Sequence, residues 1–315
     1  MAGTSFLALL DDIAIILDDI AVMTKVATKK TAGVLADDLA LNAEQAMGLK
    51  ADRELPVIWA VAKGSLKNKL ILVPSALAIS AFAPWAVTPL MILGGAFLCY
   101  EGFEKISHKF LHSKAEDCTH HAELVEAHGD ATVDLVAFEK NKIRGAIRTD
   151  FILSAEIIVI TLGIVAAAPF AIQVAVMSIF AVALTVVVYG LVASIIKLDN
   201  AGLFLSQKNG DSLVHKVQSS VGLFLLWVAP VIMKGLSIVG TAAMFLVGGG
   251  ILTHGIPWIS QLILQLASVA STVPGVGGIL NTSIPTLLDA LIGVLFGSVI
   301  LFGLMAGKRI WRAAR

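Results

Sequence analysis

IIVITLGIVAAAPFAIQVAVMSIFAVALTVVVYGLVASII, residues 157–196, contains no Asp, Glu, Lys, Arg or His. A helix crosses the hydrocarbon core of a bilayer with about 20 apolar residues, so this run is long enough to cross, turn and return. The turn falls at "AAAPF" (166–170), where proline ends one helix and starts the next. Basic residues gather outside the two ends: Lys142, Arg144 and Arg148 before the run, Lys197 and Lys208 after it. Cytoplasmic flanks carry the excess of Lys and Arg, so both ends belong on the cytoplasmic side and 144–198 reads as a membrane hairpin.

The same reading extends in both directions. Residues 71–100 are uncharged, with Lys63, Lys67 and Lys69 before them and Lys105, Lys109 and Lys114 after them. "APWAVTP" (83–89) supplies the reversal, which makes 63–105 a first hairpin. Between 217 and 307 the only Asp, Glu, Lys or Arg residues are Lys234 and Asp289, and basic residues again stand at both ends. That third region, 217–315, therefore crosses an even number of times. Crossings at 235–256 and 285–307 satisfy the parity, leaving 217–233 and 258–271 as re-entrant or interfacial pieces. The expected fold is all-α: a polytopic helical membrane protein with six crossings plus such segments. Eight crossings is the alternative, if 217–233 also spans. The remainder divides into an acidic amphipathic region (1–62), a polar His-rich linker (106–143) and a loop (199–216). All three are expected to be cytoplasmic, as are both termini.

Composition agrees. The chain of 315 residues is 57% hydrophobic and 15% charged, with a mean hydropathy of +0.87, whereas soluble domains carry about 25% charged residues. Basic and acidic residues balance at 23 each, which argues against a nucleic-acid partner. No Lys or Arg precedes Lys25, so the acidic opening does not read as a secretory signal peptide. Cys99 lies in an apolar run and Cys118 in the polar linker, a poor basis for a structural disulfide. There is no Gly-Lys-Ser/Thr phosphate loop, no HExxH and no GxSxG, so an enzyme is not expected and no cofactor is implied.

Two internal matches point to duplicated helical hairpins. "KGSLKNKLIL" (63–72) aligns with "RGAIRTDFIL" (144–153), 81 residues later, and "TPLMILGGAFLCYEG" (88–102) aligns with "TAAMFLVGGGILTHG" (241–255), 153 residues later. The second alignment sets Glu101 opposite His254. Repeated hairpins with interrupted helices are a common transporter and channel plan. The segments "LLDDIA", "KKTAGVLADDLALNA", "IRTDFILSAEI" and "GTAAMFLVGGGILTHG" together resemble the YedI-like bacterial inner-membrane proteins, the domain of unknown function 808 family. The resemblance covers nearly the whole chain. It implies a bacterial inner-membrane location and carries no established activity.

Functional residues are sought among charges that a bilayer should reject. Each Asp, Lys or Arg at the centre of a membrane helix costs about 2.5–3.5 kcal/mol on insertion scales. Arg148, Asp150 and Glu156 head the second hairpin, with Glu156 deepest, and Lys67 or Lys69 of the matched first hairpin is a candidate pairing cation. One reading is a salt bridge locking two hairpins; the other is an ion or proton path. His254 follows three consecutive glycines, and its imidazole suits gating or proton transfer, to be considered with Glu101. In the linker, His108 and His112 have the i, i+4 spacing of a metal pair, although a solvated segment explains them as well.

At the N-terminus "LLDDIAIILDDIAVM" (9–23) repeats after seven residues, and a looser third copy, "VLADDLALNA", follows at 34–43. Positions seven apart drift by only about 20° around a helix, so Asp11, Asp12, Asp18 and Asp19 form one acidic stripe beside an apolar one. Interfacial helices ordinarily carry Lys and Arg on the wet face, so this helix is expected to dock on protein or face an aqueous vestibule. Three roles compete: a solvated packing helix, a funnel that attracts cations, and a divalent-cation site to which Asp37 and Asp38 contribute if the third copy folds beside the first. The resulting expectation is a bilayer-embedded, homo-oligomeric transporter or channel for a small cation or protons. The four N-terminal aspartates would attract the ion; Arg148, Asp150, Glu156, His254, Glu101, Lys67 and Lys69 would line or gate the path. The rival is a scaffold or regulatory protein that oligomerises or binds a partner through the N-terminal helix.

Overall fold

The computed structural model describes residues 2–46, 51–111, 135–207, 213–271 and 277–313. The regular elements among them are helical: α1 (Ala2–Ala46), α2 (Ala51–Phe82), a 3-10 turn (Pro84–Ala86), α3 (Val87–Leu111), α4 (Leu135–Val165), α5 (Phe170–Ser206), α6 (Leu213–Gly255), α7 (Pro257–Ser271) and α8 (Gly277–Ala313). Both expected reversals are present, at 83–86 between α2 and α3 and at 166–169 between α4 and α5.

The surface of α5 shows why the chain needs a bilayer. Ile172, Val176, Phe180, Leu184, Val188, Val192 and Ile196 recur every four residues and are buried, while Ile179, Val182, Val186 and Leu191 on the opposite side stay exposed. A helix apolar on all sides requires an apolar solvent for its outer face. Four stretches are long and apolar enough to span: Pro84–His108, Phe170–Ser206, Val217–Gly255 and Ser283–Arg312. Helices of this length and composition are compatible with a membrane protein.

The chain forms two compact units, one from 1–87 and 143–240, the other from 88–142 and 241–315. In the first, α2 runs antiparallel to α5 and is tied to it at both ends. Asn200 Nδ2 donates to Glu54 Oε2 (2.7 Å) and Ser80 Oγ donates to Gln173 Oε1 (2.6 Å). Gln173 Nε2 also donates to the Ala166 and Ala168 carbonyls (3.3 and 2.9 Å), satisfying backbone acceptors exposed by the end of α4. Parallel to α2 lies α4, with Ile147 filling the space left by Gly64. Gly240 of α6 sits against the backbone of Asp37 on α1.

In the second unit glycines again set the spacing. Gly95 of α3 and Gly248 of α6 face each other, Gly249 lies on the Asp289 carbonyl of α8, and Gly293 and Gly297 of α8 lie on the backbones of Phe245 and Cys99. Close approach of helix backbones through small residues is the usual means of membrane-helix packing. With 15 residues, α7 reaches only about 22 Å and is too short to span.

The third region departs from expectation. Residues 217–233 and 235–255 belong to one continuous helix, α6, so 217–233 is not a separate re-entrant piece. Pro230 removes one hydrogen bond without ending the helix, and Gly248–Gly249–Gly250 serve close packing rather than a break. The expected loop at 199–216 is helical up to 206. The boundaries at 62/63 and 143/144 fall inside α2 and α4, which run from polar into apolar sequence without interruption.

A side chain at Gly249 would strike the α8 backbone, whereas one at Gly303 meets open space. Gly249→Ala is therefore expected to destabilise by about 1–3 kcal/mol, and Gly303→Ala to cost nothing. Thermal unfolding of the two variants in detergent measures the contrast.

Candidate functional site

Four helices of the first unit bring polar side chains to one buried point. Lys69 (α2), Asp150 (α4), Tyr189 (α5) and Asp38 (α1) are 3, 6, 6 and 5% exposed. Lys69 Nζ donates to Ser65 Oγ (2.7 Å) and Ser154 Oγ (2.9 Å) and lies 3.9 Å from Asp150 Oδ1. Asp150 Oδ1 accepts from Ser65 Oγ and from Tyr189 Oη, each at 2.8 Å. Its Oδ2 accepts from Asn68 Nδ2 (3.1 Å) and Ser154 Oγ (3.4 Å). Tyr189 Oη is also 3.3 Å from Asn42 Oδ1 of α1. Asn68 Nδ2 additionally donates to the Ile147 carbonyl (2.9 Å), fixing α2 against α4.

Lys69 and Asp150 occupy equivalent positions of the two matched segments, "KGSLKNK" and "RGAIRTD". The local match therefore places a cation and an anion at one level of two parallel helices. Taking both charges out of water costs several kcal/mol per ion, and their attraction offsets this only when the remaining donors and acceptors are also met. Here hydroxyls and an amide meet them.

Beside the pair is a small cavity walled by Asp38, Asn42, Lys69, Asp150, Thr185 and Tyr189 among others. Its volume is about 10 Å³, room for roughly one water. Thr185 and Tyr189 also wall an open apolar groove of about 440 Å³ between α2 and α5, where Lys63 Nζ stands 5.2 Å from the centre of the Trp59 ring. Two side chains thus separate the polar cavity from the apolar outer face.

Of the residues expected from sequence, Lys69 and Asp150 meet. Lys67 and Arg148 point outward and are exposed. Glu156 is buried on α4 beyond the cavity walls. The four N-terminal aspartates lie on α1; Asp11, Asp18 and Asp19 are exposed, and the side chain of Asp12 falls outside the described residues. The third acidic copy does not fold beside the first, because α1 is a single helix through Ala46. Instead Asp37 and Asp38 are the buried aspartates of α1.

In the second unit Glu101 pairs with Lys105 (3.0 Å) and His254 Nδ1 donates to the Gly250 carbonyl (2.7 Å). The register separates these two residues. Gly102 faces Met244 and Phe245 while Gly255 faces Ile92, which puts Glu101 and His254 roughly 13 Å apart along the helices at 1.5 Å per residue. Nearer His254, Thr253 Oγ donates to Asp289 Oδ1 (2.6 Å), the acid in the otherwise apolar third region. Among the described residues no group of three or more His, Cys, Asp or Glu is arranged to hold a metal. His108 is exposed, and His112 lies outside the described residues.

Ser65, Asn68, Ser154, Tyr189 and Asn42 were not singled out as site residues from sequence, and Asp38 was considered only for a divalent-cation site with the N-terminal aspartates. The available signal was a polar side chain interrupting an apolar run, as Tyr189 does in "TVVVYG". Breaking the buried pair from one side is expected to be worse than removing it from both. Lys69→Met alone should cost about 3–5 kcal/mol, and Lys69→Met with Asp150→Leu less than the sum of the single changes. A double-mutant cycle on unfolding in detergent reads the difference.

No curated protein and no solved structure matches the chain. A family model does, over residues 4–302. The chain belongs to the family described as protein of unknown function DUF808.

Proposed function

We propose that this protein moves a small cation or protons across a bacterial inner membrane, and that the Lys69–Asp150 cluster is the point through which the charge passes. The observation that carries the reading is a hydroxyl-bridged ion pair next to a cavity with room for about one water, buried among helices of a membrane protein. Ionisable side chains inside membrane helices most often mark ion or proton routes. The six-crossing plan adds the apolar ends of α2 and α4 to the four spanning stretches. Their exposed Leu70, Ile71, Phe82, Phe151 and Ile152 suit contact with lipid. In that plan both termini are cytoplasmic, Lys69 and Asp150 lie where α2 and α4 enter the bilayer, and the exposed N-terminal aspartates draw cations toward the entrance.

A scaffold is the second reading. Ile13 and Leu17 of α1 are exposed on the side opposite the acidic stripe, a face suited to a second copy or a partner protein. Electrical recording on membranes containing the purified chain separates the two. Transport predicts a current that Asp150→Asn abolishes in a folded protein and that removal of residues 2–30 reduces with assembly intact. A scaffold predicts no current and loss of assembly on the same truncation.

A further inference from the structure

Resting on the transport reading, we infer that the carried species is the proton and that Lys69, Ser65 and Asp150 form its relay. The position a metal ion would take is filled. The Lys69 ammonium holds Ser65 and Ser154 at 2.7 and 2.9 Å and stands 3.9 Å from the carboxylate. The space left beside it admits about one water, whereas Ca²⁺ takes six to eight oxygen ligands and Mg²⁺ keeps several of its waters. A proton needs only a chain of groups that both donate and accept, and hydroxyls do both.

Ser65 Oγ touches both ends of the pair: it accepts from Lys69 Nζ and donates to Asp150 Oδ1. Shifting one proton from Lys69 to Ser65 and one from Ser65 to Asp150 turns the ion pair into an amine and a carboxylic acid, moving one positive charge from the lysine to the aspartate with the total charge of the group unchanged. The amine then takes a proton from one side and the acid gives its proton up to the other; Ser154 and the cavity touch both members of the pair. Charges return to their starting values, and one proton has crossed. The charged and titratable groups around the relay are Asp38 from α1, Lys69 itself from α2, Asp150 from α4 and Tyr189 from α5.

Liposomes containing the full chain, loaded in turn with a pH-sensitive, a Na⁺-sensitive and a K⁺-sensitive dye, test this. Proton movement is expected without Na⁺ or K⁺ movement. Arginine keeps the charge but is not deprotonated in proteins, so Lys69→Arg should slow proton movement about a hundredfold. Ser65→Ala, a smaller change to the packing, should do the same if Arg does not fit. Na⁺ or K⁺ flux, or protons passing at the parent rate in folded Lys69→Arg or Ser65→Ala, overturns the relay while leaving transport intact. No movement of any ion removes the transport reading itself.

A separate observation carries a second inference, about topology. The matched segments 88–102 and 241–255 pack on each other with their equivalent positions exchanged. Gly95 meets Ile251 as Gly248 meets Leu98, and Gly102 meets Phe245 as Gly255 meets Ile92. Each contact is the image of another under the 153-residue match, as a two-fold axis perpendicular to both helices requires. The geometry points to an inverted pair, α3 and the end of α6 crossing the bilayer in opposite directions. With Cys99 and Cys118 replaced by Ala, His108→Cys and His254→Cys are each placed at an exposed end of this pair. An impermeant thiol reagent applied to sealed vesicles of either orientation should reach one from one face only and the other from the opposite face. Labelling of both from the same face, or of either only after detergent, overturns the inverted arrangement.

Discussion

The ammonium of Lys69 is the charge that the first unit has to accommodate, because it is carried into a packed interior from a helix whose next residues are apolar. Three of its neighbours, Ser65, Ser154 and Asp150, come from α2 and α4, and the carboxylate is completed by Tyr189 from α5. The requirement to solvate one cation therefore fixes the mutual placement of three helices, and Asn42 of α1 joins through Tyr189. Removing any member leaves a buried donor or acceptor unmet, which costs more than the net gain from an ordinary hydrogen bond. The same strictness that makes such a cluster a good lock also makes it a good relay, since its donors and acceptors already form an ordered chain.

Outside this cluster the fold is held by shape. Glycines let backbones meet at Gly95 with Gly248, Gly249 with Asp289, and Gly297 with Cys99, and the outward faces carry aliphatic side chains for lipid to cover. Association of this kind relies on dispersion and close approach, because apolar side chains gain nothing from leaving water in a solvent as apolar as themselves. Specificity comes from the few polar ties. Glu54 with Asn200 and Ser80 with Gln173 set the register of α2 on α5 from both ends.

Much of this could be read from the chain itself, for identifiable reasons. A bilayer demands long uncharged runs, so the membrane tracts and the Pro-containing turns at 83–89 and 166–170 were legible. Asp150 and Lys69 could be read only as members of a set of charges flanking such runs, which also held Lys67, Arg148 and Glu156. Tyr189, Ser65 and Ser154 did not, because a hydroxyl in a membrane helix can also bond its own backbone, as Thr161 and Thr185 do here with the carbonyls four residues earlier. Which of several acids turns inward depends on helix phase over tens of residues. That is why Asp11, Asp18 and Asp19 of the regular acidic repeat are exposed while Asp37 and Asp38 of the looser copy are buried. The continuity of α6 was hidden by Lys234, a charge that divides the apolar tract into 217–233 and 235–256 in one dimension but interrupts no helix in three.

A density map of the full chain in a lipid nanodisc, at a resolution that shows ordered water, examines the cluster most directly. It should show Lys69 held between Ser65 and Ser154, with a single water in the cavity walled by Asp38, Asn42 and Asp150. A collapsed dry cavity, or a Lys69 side chain turned out to the surface, would contradict the role given to this pair.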